Sequence, residues 1–103
     1  MTLTITAPEA TQLALATADI FTATVASLVK ITLVNTDAAS RTVNLYRKNS
    51  GGTATRILDK DYTLDAGREV TVGPVFVAAA GKIRGDASAA TVVDVTLSVL
   101  TQA

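Results

Sequence analysis

The chain has 103 residues, 49% of them hydrophobic and only 4% aromatic, with nine basic and nine acidic residues and no His, Cys or Trp. That length suits one domain, and the missing types remove the imidazole base, the thiol nucleophile, the usual zinc ligands and any disulfide. A formal charge of zero also removes the positive excess of a non-specific nucleic-acid or anionic-membrane binder. No enzyme activity, no cofactor, no nucleic acid and no membrane partner is therefore expected. Met1 to Thr6 carries neither a basic n-region nor an apolar h-region, so no secretory signal is expected. No apolar run approaches the roughly 20 residues that span a bilayer.

Taken in chain order, the pattern is that of strands, because Thr, Val and Ala dominate and alternate with period two. Thr2 to Thr6 is the first short candidate. After it, Thr6-Ala7-Pro8-Glu9 reads as a capping box, with Leu13, Ala16 and Ile20 on one side of a short helix. The competing reading of residues 1–17 is an extended arm that leads into a strand at Ile20 to Thr24. Ser27 to Asn35 alternates with Val29, Ile31 and Leu33 on a core face and Leu28, Lys30, Thr32 and Val34 on an outer one. Arg41 to Lys48 likewise turns Val43 and Leu45 inward. Arg56 to Leu58, Tyr62 to Leu64, Glu69 to Val72, Val75 to Val77 and Lys82 to Arg84 are shorter runs. The last strand turns Val93, Val95, Leu97 and Val99 inward and Asp94, Thr96 and Ser98 outward.

Turn chemistry separates these runs. Asn35-Thr36-Asp37 and Asn49-Ser50-Gly51-Gly52 supply residues that tolerate left-handed backbone. Gly73-Pro74 is expected to bend the chain or switch it between sheets at an edge. Ala66-Gly67 and Ala80-Gly81 resemble each other, each with Gly expected at a positive φ. The outcome is an all-β fold: a single antiparallel β-sandwich, jelly-roll-like, of about eight strands over residues 18–103, preceded by the arm or short helix of residues 1–17.

A domain this small has a shallow core, so Leu28, Val34 and Val92, all on outward faces, are read as surfaces for a second copy or as ordinary exposed apolar residues. Asp59, Asp61 and Asp65 are the densest carboxylates, but they lack the Gly and terminal Glu of a calcium loop and carry Lys60 among them; a solvated turn is the plainer reading. Arg41, Arg47, Lys48 and Arg56 form a basic hairpin with Tyr46 as its one aromatic, facing opposite to Arg47. That is too little charge and stacking for nucleic acid. The hairpin is expected to pair with the acidic segment from Asp59 to Glu69, within the chain or between copies. Leu28, Val34, Arg41, Tyr46, Arg47, Lys48, Asp59 and Asp61 are thus the candidate oligomer or partner contacts.

Several of these features occur together in a known group. A strand ending Val34-Asn35-Thr36, the Thr42 to Tyr46 strand, a Gly-rich tip, Leu64 to Gly67, Gly73 to Val77, a second Ala-Gly and a final Val-x-Val-Thr-Leu-Ser follow in that order. Over about residues 18 to 101 this resembles the small β-sandwich proteins of tailed bacteriophage particles. The resemblance implies a non-enzymatic virion structural protein, assembled in the host cytoplasm. Its first form is a homotrimeric capsid decoration protein that binds the major capsid protein lattice and stabilises the head. Its second is a tail, collar or fibre module with host-surface carbohydrate as a ligand. Two departures stand out: Thr24-Val25-Ala26-Ser27 where the group often has Val-Pro-Ala-Gly, and few aromatics for stacking on sugars.

Overall fold

The computed structural model describes residues 3–102, and side chains from residue 11 to residue 101. Nine strands fill it: β1 (Leu3–Gln12), β2 (Ala18–Thr22), β3 (Ser27–Asn35), β4 (Arg41–Lys48), β5 (Thr55–Arg56), β6 (Tyr62–Leu64), β7 (Glu69–Val77), β8 (Lys82–Ala87) and β9 (Val93–Gln102). They form two antiparallel sheets, one ordered β1-β9-β3-β7 and the other β2-β8-β4-β5, with β6 also on β4. β5 pairs with Tyr46 and Arg47, and β6 with Arg41 to Val43, so the two share one edge position beside β4. Counted by position this is the eight-strand, two-sheet order of a jelly roll, as the alternation predicts.

The core follows from the period-two pattern. Val29, Ile31 and Leu33 of β3 and Val93, Val95, Leu97 and Val99 of β9 are buried, and face Val43, Leu45, Ile83 and Ala87 of the second sheet. Each such side chain contributes about 1.5–3 kcal/mol on removal from water. Leu13 and Ala23, from connections between strands, close the core at its sides. Gly85 makes room for Leu13: a Cβ there would stand 3.0 Å from the Leu13 side chain and 3.0 Å from the Asn44 carbonyl oxygen. No aromatic residue is among the buried core residues, so branched aliphatics carry the packing.

Three sequence expectations need correction. Among the described residues there is no helix: the chain is extended through Thr6 to Glu9 and pairs with β9 from Leu3↔Gln102 to Gln12↔Asp94. Pro8 is accommodated at the register shift between Thr6 and Glu9, where the ladder does not need its missing N–H. Met1 and Thr2, at the start of the first expected strand, lie outside the described residues. Gly73-Pro74 does not move the chain to the other sheet. β7 runs through it as one edge strand, with a cis Gly73-Pro74 bond and an irregularity opposite Lys30. Finally, the two Ala-Gly turns differ. In the first, Arg68 N–H bonds the Asp65 carbonyl at 3.0 Å and Gly67 has φ 72°. In the second, Gly81 N–H bonds the Ala78 carbonyl at 2.8 Å, which shifts the positive φ (66°) onto Ala80.

Candidate interaction surface

The two sheets turn very different outer faces to solvent. On the β1-β9-β3-β7 sheet, register places residues in rows across the strands. Phe76, Leu28 and Leu100 form the first row, Lys30 and Ser98 the second, Thr71, Thr32 and Thr96 the third, and Glu69, Val34 and Asp94 the fourth. Beyond them Thr36 donates from both N–H and Oγ1 to the Val92 carbonyl, each at 2.8 Å. The first row is apolar and open: Phe76 is 53% and Leu28 40% exposed. A cleft of about 270 Å³ runs beside it, lined by Leu28, Lys30, Pro74, Ser98, Val99 and Leu100. Thr32 and Thr71 hydroxyls share a hydrogen bond at 3.2 Å, and Asp94 accepts one from Gln12 at 3.0 Å.

The outer face of the other sheet is knit together by polar side chains. Asn44, nearly buried on β4, donates to Asp61 at 3.0 Å and to Asp86 at 2.9 Å. Its carbonyl oxygen accepts from the Arg56 guanidinium at 2.5 Å and from the Asp61 N–H at 2.9 Å. The Arg56 guanidinium also lies over the Tyr46 ring, 5.0 Å from its centroid. Thr17 donates to Asp86 at 2.6 Å. Asp19 bridges Lys82 and Arg84, both at 2.8 Å, and the Lys82 hydrogen bond, aided by Arg84, holds its carboxyl below the usual carboxylate range.

The sequence-derived contact residues therefore separate. Leu28 and Val34 share the open face, two rows of polar residues apart. Tyr46 lies on the polar face, opposite to Arg47 as the alternation requires. Arg47 reaches between the sheets to donate to the Phe76 carbonyl at 3.3 Å. Arg41 binds Asp37, which pulls the Asp37 carboxyl below its ordinary range with help from the Ala38 N–H. This corrects the expected pairing within the chain: among the described residues no ion pair joins the basic hairpin to Asp59–Glu69. Arg56 meets Asp61 only through Asn44. Lys48 lies beside Lys82 across the strands, at a small cleft with Asn49, Ser50, Gly51 and Ala80. Asp59 is exposed, whereas Asp61 serves Asn44 and Asp65 accepts from Ser40 at 3.1 Å, so these carboxylates go to separate partners. Among the described residues no three His, Cys, Asp or Glu side chains gather as metal ligands would.

Sequence reasoning missed two asparagines. Besides Asn44, Asn35 ends β3 fully buried, its amide donating to the Ala39 and Leu64 carbonyls at 2.9 Å each and its oxygen accepting the Asp37 N–H at 2.9 Å. A buried amide so placed pins three segments of the chain at one end of the sandwich. An Asn set among alternating apolar residues was the only local sign of either.

An antiparallel two-sheet jelly roll is the class of protein these observations define. No protein-family model and no curated protein matches the sequence. Among solved structures, a chain in the structure of infectious bursal disease virus, Gx strain, superposes on 97% of this chain with a TM-score of 0.53 at 12% sequence identity. The match covers 33% of that chain, so this chain spans about a third of its length. At that identity the likeness is one of fold.

Proposed function

We propose that this chain is a non-enzymatic structural protein of a virus particle. The observation that carries the reading is the jelly-roll strand order, an architecture used by capsid and lectin domains. The fold likeness to a chain of a virus structure supports it, as does the resemblance to small sandwich proteins of tailed bacteriophages. Fold alone does not assign a role, so the remaining argument is chemical. Asp19, Asn44, Asp61 and Asp86 of one outer face are bound within the chain, and the other face offers open contact surface, with no metal-ligand cluster among the described residues. Such a module acts by adding buried area to an assembly. We place it on the head as a decoration protein, bound across the capsid protein lattice so that neighbouring subunits are held together.

The test is to purify particles from cells that make the protein, count its copies against the most abundant particle protein, and image particles labelled with an antibody to it. Copies in proportion to the head lattice, spread over the shell, are expected. A few copies at one end would move it to the tail, collar or fibre. Absence from particles would overturn the virion reading.

A further inference from the structure

The rows of the open face are self-complementary. The threonine row, Thr71, Thr32 and Thr96, lies midway between Lys30 on one side and Glu69, Val34 and Asp94 on the other. Lys30 is the one cation on the described part of this face, and Glu69 and Asp94 are its acids. Rotating a second copy by 180° about an axis lying in the face along the threonine row brings Lys30 of each copy onto the Glu69–Asp94 row of the other. The same operation carries the apolar row of Phe76, Leu28 and Leu100 past the Val34 row of the partner to the end of the strands at Thr36, and lays the threonines against themselves.

We infer that this face pairs with the same face of a second copy of this chain, as an isologous two-fold dimer. Two further observations favour a second copy as the occupant. First, the small and β-branched threonines at the centre let two twisted sheets approach to the ordinary face-to-face distance of about 10 Å. Second, the area is adequate. Four strands about 4.8 Å apart and about 30 Å long offer roughly 550–600 Å² per copy, or about 1,100–1,200 Å² in all, at the lower end of specific interfaces. The dimer is accordingly of modest affinity and sensitive to salt, because its charge pairs lie at exposed positions. It covers Leu28 and Val34 together; Val92, the third residue read from the sequence as outward, instead packs partly buried against the core. A homotrimer of the kind the phage resemblance implies would instead need heterologous contacts. The pairing holds whether or not the chain belongs to a particle.

Sedimentation over a wide concentration range tests it. The unmodified chain should move from monomer to dimer as concentration rises, and back as salt is added. Lys30→Glu makes the face wholly acidic and should weaken self-association at least about tenfold. Glu69→Lys with Asp94→Lys makes it wholly basic, with the same result. Mixed in equal amounts, these two variants should form a heterodimer that neither forms alone. Circular dichroism and melting curves establish that each variant is folded; if the double variant is not, Glu69→Lys alone replaces it. A chain that stays monomeric at all concentrations, forms trimers, or dimerises equally well with Lys30→Glu overturns the inference.

Discussion

The two outer faces belong to the same sandwich, yet they spend their polar groups in opposite ways. On the β2-β8-β4 face, Asp19, Asn44, Asp61 and Asp86 are bound to Lys82, Arg84, Arg56 and Thr17 of the same chain. On the β1-β9-β3-β7 face, leucine, phenylalanine and threonine lie open, and the charges sit two rows apart. What separates the faces is cross-strand register, since a charge helps the fold when its partner is on the next strand and helps association when it is not. The first face works as a lock on the sheet, and the second is left open.

The largest effect should come from stripping the open face of its edge. Deleting residues 1–17 removes β1 from β9 and Leu13 from the core, and the loss of one such Leu alone costs about 2–5 kcal/mol. The truncated chain should lose its β-type circular dichroism; a cooperative melt near that of the full chain would show that β1 is dispensable. Next, Asn44→Leu strands Arg56 and two carboxylates without their shared amide and should lower stability by about 2 kcal/mol in urea unfolding. Thr32→Val, on the other face, should stay within about 0.5 kcal/mol. Equal losses from the two would erase the distinction between lock and surface.

Smaller than the Asn44→Leu effect is the intrinsic effect of Leu28→Ser combined with Phe76→Ser. It removes one cross-strand pair and should reduce the stability of the monomer by no more than about 1 kcal/mol, while abolishing self-association in sedimentation. The smallest effect is that of acid. Because the folded state holds the Asp19 and Asp37 carboxyls below their ordinary range, their contribution is present at neutral pH and lost as pH falls through that range and below it. Melting temperature should therefore drop less on acidification for Asp19→Asn, and added salt should narrow the difference. An identical drop in both proteins would show that the Asp19 bridges contribute nothing.

β3, β4 and β6 were legible to the residue, because Val29-Lys30-Ile31, Val43-Asn44-Leu45 and the turns around them alternate without interruption. β8 was read only as far as Arg84; it runs on through Gly85, which is Gly because of Leu13, distant in the chain. Pro8 was read inside a helix-starting capping box and Pro74 as a bend or sheet switch, although a register shift in an edge strand absorbs each. The Asn44 network was beyond local reading, because its members sit at 17, 56, 61 and 86 and meet only once β4 and β8 are in register. The row order that makes the open face self-complementary depends on the register of β7, β3 and β9, which the residues of any one strand do not specify.

The strand order has a consequence for how the molecule comes into being. β9, last of the strands to leave the ribosome, is an interior member of its sheet, hydrogen-bonded to β1 on one side and β3 on the other. Until it arrives, β1 lacks its described neighbour and β3 holds only β7, so this sheet stays incomplete until β9 is available. Pairing of β1 with β9 then closes a loop of nearly the whole chain, which places folding among the slow, non-local cases of milliseconds to seconds.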